Sequence, residues 1–269
     1  MSILLEMTPI GLEEMKAVRL MNRVDQKYIA PAALLEPLLE RVADGYYVQR
    51  IPCEKGSEPR SPLSERIAPY RTLYYDTADM AMYTMHHNQK LNRQKLRVRT
   101  YRSTDTTFFE IKNKDNKGKT RKERIRIDVG DFDAALAVAE VAEFVERQTP
   151  YNPRPDTATD RNALHACLEN RFERITLVDR GMSERVTIDH GIRFHNRATG
   201  LDADIAHALV VEVKHEVGAP PSPIERALHE MHILPRRMSK YCIGTALTNP
   251  AVKQNSFKEK LLYIKKITP

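Results

Sequence analysis

The chain has 269 residues, 41% hydrophobic and 29% charged, with a formal net charge of +7. That is the balance of a soluble globular protein long enough to bury a full core, and no apolar run approaches the roughly 18 residues that cross a bilayer. The first ten residues lack a basic region ahead of their apolar stretch, so no secretory signal is expected, and the scattered Cys53, Cys167 and Cys242 read as reduced thiols of a cytosolic protein.

Along the chain, Thr8 and Pro9 predict a capped helix over 9–20, followed by a strand over 22–29 and a helix over 32–43. Four prolines and Gly56 make 52–69 a long loop. Strands follow over 70–75, 94–102, 107–114 and 122–129, with Asn116-Lys117-Gly118 as the turn between the last two. A helix is expected over 131–147 and another over 158–171, separated by the proline-rich piece 150–155. Three more strands read over 175–180, 185–190 and 208–215. Ser222-Pro223-Ile224-Glu225 has the form of a capping box, a further helix starts near Ser239, and a basic amphipathic helix covers 256–264, expected to pack its apolar side on the strands. The reading is α+β: one tunnel domain over 1–269, its core 8–247 and a basic C-terminal segment 248–269.

The charge is concentrated. From Arg93 to Arg126 there are 13 Lys/Arg against 4 Asp/Glu, which implies an anionic partner. Alternate side chains of a strand face opposite ways, so Arg93, Lys95, Arg97 and Arg99 share one face while Leu96 and Val98 share the other. The same alternation groups Glu110, Lys112 and Lys114, then Lys122, Arg124 and Arg126, then Arg185 and Asp189, Glu212 and Lys214, and Arg23, Asp25 and Lys27. An open sheet with its charged face in water is the plain reading of any single strand, but stacking Arg97, Lys112 and Arg124 side by side is repulsive without an anion. An eight-stranded antiparallel β-tunnel, closed on itself with the charged faces inward and flanking helices outside, removes the conflict, because phosphoryl oxygens suit such a lumen. Glu110, Glu212, Asp25 and Asp189 share the basic face; some are ion-pair partners, Asp189 foremost, and at least one facing a triphosphate is expected to hold a divalent ion together with phosphate. A closed lumen excludes a duplex, and base-stacking aromatics are sparse on the charged faces, so specific nucleic-acid binding is not expected.

The ordered blocks Arg23-Val-Asp25-Gln-Lys27-Tyr28, Tyr75-Asp76-Thr77, Arg93-Gln-Lys95-Leu-Arg97-Val-Arg99, Phe109-Glu110-Ile111-Lys112, Lys122-Glu-Arg124, Glu212-Val-Lys214 and Ser239-Lys240-Tyr241 with Gly244 resemble the VTC (polyphosphate polymerase) domains of the triphosphate tunnel, or CYTH-like, group. The resemblance implies a tunnel that transfers the terminal phosphoryl group of ATP to polyphosphate with Mn²⁺ or Mg²⁺. It implies catalytic roles for Lys27, Arg97, Arg99, Lys122, Arg180, Arg185 and Lys240. Phosphate contacts fall to Arg23, Arg93, Lys95, Lys112, Arg124, Lys214, Arg237 and Ser239, and metal ligation to Glu212 and Glu110. Asp25 stands where CYTH triphosphatases carry Glu-x-Glu-x-Lys, which counts against a hydrolase; a triphosphate or polyphosphate hydrolase and a non-enzymatic polyphosphate binder remain the alternatives. A cytoplasmic protein is implied, with a separate membrane protein as a possible partner at the inner face of a membrane.

Overall fold

The computed structural model describes residues 2–18, 23–51, 61–155, 157 and 159–267. Cys53, the greater part of the proline-rich loop (52–60) and the Arg23 side chain lie outside the described residues. In chain order the elements are α1 (Ile3–Glu6), β1 (Pro9–Ile10), β2 (Arg23–Pro31), α2 (Leu35–Val42), β3 (Tyr46–Gln49), β4 (Ala68–Asp76), α3 (Ala81–His87), β5 (Arg93–Tyr101), β6 (Thr106–Lys114), β7 (Thr120–Ile127), α4 (Ala139–Gln148), β8 (His165–Asp179), β9 (Arg185–Asn196), β10 (Asp202–Asp204), β11 (Ala208–Glu216), α5 (Pro223–Glu230), α6 (Lys240–Thr248) and α7 (Lys258–Lys266).

Eight strands form the tunnel wall in the order β2-β11-β9-β8-β4-β5-β6-β7, each antiparallel to its neighbour. The expected α+β antiparallel tunnel is present, but its ladder does not run round the whole circumference: β2 and β7 are the end strands of the path. Both carry basic residues at the inward positions, Lys27 on one and Lys122, Arg124 and Arg126 on the other, so zipping the seam would press like charges together.

Apolar residues of the wall face outward, as their alternation with charge requires. Val186, Ile188, Val211 and Val213 pack under α2 and α5 through Leu38, Leu39, Ile224 and Leu228. Leu96, Val98, Phe109 and Ile111 pack under α4 through Val141, Phe144 and Val145. A third cluster lies inside, where Leu168, Phe172 and Phe194 meet Tyr241, Cys242 and Ile243 of α6. α6 approaches the wall so closely that a Cβ on Gly244 would clash with the Phe194 ring and the Leu168 side chain. One part of the interior is therefore plugged with hydrocarbon and the rest is lined with charge.

Three expected helices are corrected. Instead of a helix over 9–20, Pro9–Ile10 pairs in parallel with Val48–Gln49 of β3, and among the described residues of that span only Glu14–Ala17 makes a 3₁₀ turn. Burial of Ile10 and Met15 against Val178 outweighs the local capping signal. Of the helix expected over 158–171, residues 165–171 form the start of β8, where Leu168 and Phe172 face in while Glu169 and Arg171 face out. The segment 131–147 is α-helical only from Ala139: Ala135–Ala137 makes a 3₁₀ turn and Val138 is extended (ψ 123). The capping box of α5 is present in full, with Ser222 Oγ accepting from Glu225 N and Glu225 Oε2 from Ser222 N. α7 packs as expected, burying Ile264 while the Tyr263 hydroxyl donates to Ile29 O at 3.1 Å.

Candidate active site

The lumen is built from cross-strand rows. Register aligns Lys95, Lys112 and Lys122 across β5, β6 and β7, and aligns Arg97, Glu110 and Arg124 one step further along. The stacked triplet read from sequence is thus displaced: Lys112 lies between two lysines, whereas Glu110 separates the two arginines. Arg97 Nε donates to Glu110 Oε2 at 2.7 Å, and Lys122 pairs with the other oxygen. The Arg124 guanidinium sits 4.3 Å above the Phe108 ring. Arg99 donates to Thr72 Oγ1 at 3.1 Å.

On the facing wall Lys27, Glu212 and Thr187 form a row across β2, β11 and β9. Lys27 and Lys214 both pair with Glu212, the latter at 2.6 Å. Deeper, Asp189 accepts a bidentate bond from Arg174 (2.5 and 2.8 Å) and pairs with Lys240, whose ammonium lies 4.6 Å from the Phe172 centroid. Ser239 caps α6 by accepting from Cys242 N at 3.3 Å, and it accepts from Lys95 Nζ at 2.9 Å. Its own proton is what remains to be donated. The mouth is a cleft of about 530 Å³ whose lining includes Lys27, Arg93, Lys95, Lys112, Arg237 and Ser239.

Arg180 and Arg185 stand apart from that cleft. Arg180 is exposed and holds Asp44 O and Thr8 Oγ1, each at 3.0 Å, with its guanidinium 4.6 Å from the Tyr47 ring. Arg185 reaches Met15 O at 3.4 Å. Sequence reasoning missed Arg174, which fell between an expected helix and an expected strand; the alternation of Arg174 and Thr176 with Ile175 and Leu177 was the signal.

Burial and mutual repulsion act on these cations. Lys112 keeps contact with water, but partial desolvation by the surrounding walls, then the neighbouring Lys95, pushes it down to about 8. Partial desolvation likewise lowers Lys122, whose side chain is 40% exposed, to about 8, against the pull of Glu110. Burial also pushes Lys95, Arg99, Lys214 and Lys240 below their usual ranges. Burial would raise the Glu110 carboxyl, but Arg97, Arg99 and Lys122 hold it at about 2, and Asp189 and Glu212 are likewise held well below the usual carboxylate range by their cationic partners. Lys112 feels Glu212 and Lys27 across the seam, so the two walls enclose one electrostatic space.

A pH dependence follows. Lys112 and Lys122 are depressed in the folded chain, so their charging costs stability below about pH 8, and that cost is relieved as pH rises from about 8 toward the unfolded lysine value. A bound polyanion favours the charged forms. Tripolyphosphate binding at pH 8 is therefore expected to take up protons and to weaken by roughly tenfold per affected lysine between pH 7 and 9. Titration calorimetry in two buffers of different ionisation enthalpy reads the uptake; equal heats in both would exclude it.

Sequence comparison gives the family. A VTC domain profile matches residues 22–249. The chain belongs to the VTC domain family. Membership makes it a polyphosphate-related tunnel-fold protein. A search of curated proteins finds no match. Among solved structures, a Hippeastrum adenylyl cyclase candidate, HpAC1, reported with a dominant triphosphatase activity, is similar at TM-score 0.48 and 13% identity, covering 86% of this chain and 98% of the other. An adenylate cyclase candidate from Vibrio parahaemolyticus has TM-score 0.44 and 12% identity over 84% of this chain and 99% of its own. The PH1819 protein from Pyrococcus horikoshii OT3 has TM-score 0.41 and 13% identity over 83% and 98%.

Do the residues of this VTC domain fit a divalent metal? Among the described residues no group of three or more His, Cys, Asp or Glu could hold one. Glu110 and Glu212 are each engaged by two cations. With Glu212 and Glu110 as the carboxylates that would hold it, such a donor set would suit an ion that arrives with a phosphate chain supplying most of its ligands. No described helix is long and apolar enough to cross a membrane.

Proposed function

We propose that this VTC domain binds ATP and polyphosphate in its basic tunnel and transfers the terminal phosphoryl group of the nucleotide to the polyphosphate end, as a metal-dependent polyphosphate polymerase. One observation carries the reading: the inward row Lys95-Lys112-Lys122, three cations in direct cross-strand register. Such a row is repulsive when empty and attractive to a chain of phosphates.

Phosphoryl transfer asks for in-line placement and for neutralisation of the equatorial oxygens. Arg97 and Arg99 offer guanidiniums from one wall, Lys27 and Lys214 ammoniums from the other, and Arg174 and Lys240 charge at depth. Ser239 can donate its hydroxyl proton to a phosphate oxygen at the mouth, beside Lys95. Glu110 and Asp189 fix the guanidinium planes of Arg97 and Arg174 before substrate arrives. A divalent ion bound by Glu212 would add further charge neutralisation. No side chain needs to act as nucleophile. Arg180, Arg185, Arg93, Arg124 and Arg237 are assigned to guiding the chain at the tunnel ends. Buried reduced Cys167 and Cys242 suit the cytoplasm, where ATP is available, and a separate membrane protein would export the product.

Purified protein incubated with ATP and Mn²⁺ is expected to yield long polyphosphate chains on a gel, with Lys112→Met reducing the yield about tenfold or more. Free phosphate accumulating in place of chains would replace the polymerase with a hydrolase. Neither product, with tripolyphosphate still bound, would leave a binding module.

A further inference from the structure

The outer face of the same wall carries a second basic constellation that the lumen chemistry does not use. Arg71 on β4, Arg171 on β8 and Arg193 on β9 are direct cross-strand partners, a row of three guanidiniums across adjacent strands. Alternation places them outside, since Phe172 beside Arg171 and Phe194 beside Arg193 belong to the interior cluster. Adjacent strands lie about 4.8 Å apart, close enough for like charges to repel.

Glu169 answers part of that repulsion. Its carboxylate is 4% exposed and accepts from Arg71 Nε at 2.9 Å, Arg171 Nε at 2.7 Å and Arg197 Nη2 at 2.6 Å. Asp133 takes a further bond from Arg71 (3.0 Å) and from Arg197 (2.7 Å). These bonds orient the guanidiniums without neutralising the row. Arg171 is held through Nε alone, leaving both Nη groups outward on a side chain that is 59% exposed. Among the described residues Arg193 pairs with no carboxylate: Asp204, its partner on β10, accepts instead from Ala206 N at 3.0 Å. His195, one step along β9, is taken by Asp202 at 2.9 Å. The residues enclose a cleft of about 460 Å³.

We propose that Arg171 and Arg193, braced by Glu169, form a second oxyanion site on the outer wall, specific for phosphate-type groups. Two neighbouring guanidiniums, one of them with its plane fixed, present paired N–H donors at the spacing of tetrahedral phosphate oxygens. The occupant is either free inorganic phosphate or the end of a phosphate chain outside the tunnel. This site does not depend on what the lumen binds.

Titration calorimetry of the whole chain with tripolyphosphate is expected to show two binding events, the weaker one steeply salt-dependent. In Arg171→Ala/Arg193→Ala the weaker event is expected to fall at least tenfold while the tighter one and the melting temperature stay unchanged. In Arg97→Ala the tighter event is expected to fall while the weaker one stays unchanged, with the melting temperature lowered by the loss of the Glu110 partner. The same titration with inorganic phosphate distinguishes the sources: phosphate occupying the weaker site as well as tripolyphosphate does identifies a free-phosphate site, and tripolyphosphate alone identifies a chain-end site. Wild-type binding that the double variant retains in full, whether the wild-type protein shows one event or two, overturns the proposal. Loss of the tighter event alone would count against the lumen and not against the outer wall. Charge reversal by Arg193→Glu offers an independent check, since it must abolish the weaker event even if the double variant is poorly folded.

Discussion

Arg97→Ala is expected to lower turnover about 100-fold or more, the loss seen when one preorganised donor is removed from a developing oxyanion. The argument is geometric. Arg97 projects from β5 into the lumen, its guanidinium is fixed by Glu110, and it lies in the row next to Lys95, Lys112 and Lys122. Its effect on stability has the opposite sign from that of an unpaired cation. Sequence patterning suggests that deleting a lumen arginine relieves repulsion and leaves the empty protein as stable or more so. The structure reverses this for Arg97, because Glu110 is 1% exposed and would keep only Lys122 as its close partner. A loss of about 1–3 kcal/mol is expected, as for a buried acceptor stripped of a charged donor. Lys112, which has no ion-pair partner among the described residues, is the position where removal of charge should leave the ligand-free protein at least as stable. Thermal melts of the two variants beside their turnover separate the cases: Arg97→Ala with wild-type turnover would remove the lumen as the reaction site.

Much of this was legible because strand periodicity is short-range. Leu96 and Val98 against Lys95, Arg97 and Arg99 needs nothing beyond alternation, and repeating the pattern across successive strands forces the charges onto one side of a sheet. What alternation cannot supply is register. Whether Arg97 meets Lys112 or Glu110 depends on hairpin geometry, and a single two-residue step on one face decides between a repelling neighbour and an ion pair. Helix and strand signals also coexist in 165–179, where only pairing with β4 and β9 selects the strand, so Arg174 was hidden. The short β1 exists solely because β3 offers it a partner. Arg180 has the right residue type in the right order, yet its fate depends on Thr8 and Asp44, which arrive from far away in the chain. The seam between β2 and β7 was equally out of reach, because alternation within a strand does not say where a ladder of strands ends.

Asp189→Ala is expected to destabilise the ligand-free protein by about 3–5 kcal/mol, the range for breaking a buried ion pair from one side, with a fall in melting temperature on the order of 10 °C. Asp189 is 3% exposed at its side chain and compensates two cations at once, Arg174 and Lys240. Without it both are left deep in the wall against Phe172 and Tyr70, whose rings offer only the weak attraction of a π face. A polyphosphate is chemically the same kind of partner as the lost carboxylate, so it should do more for the variant than for the wild type. Tripolyphosphate is therefore expected to raise the melting temperature of Asp189→Ala by a larger increment than that of the native chain, and to bind it more tightly because a repelling anion has gone. Asp189→Asn, which keeps the shape and one acceptor, should fall between the two. An increment equal to or below the wild-type one would mean that Arg174 and Lys240 do not face the ligand, and the deep end of the proposed phosphate path would have to be redrawn to stop at Arg97 and Arg99.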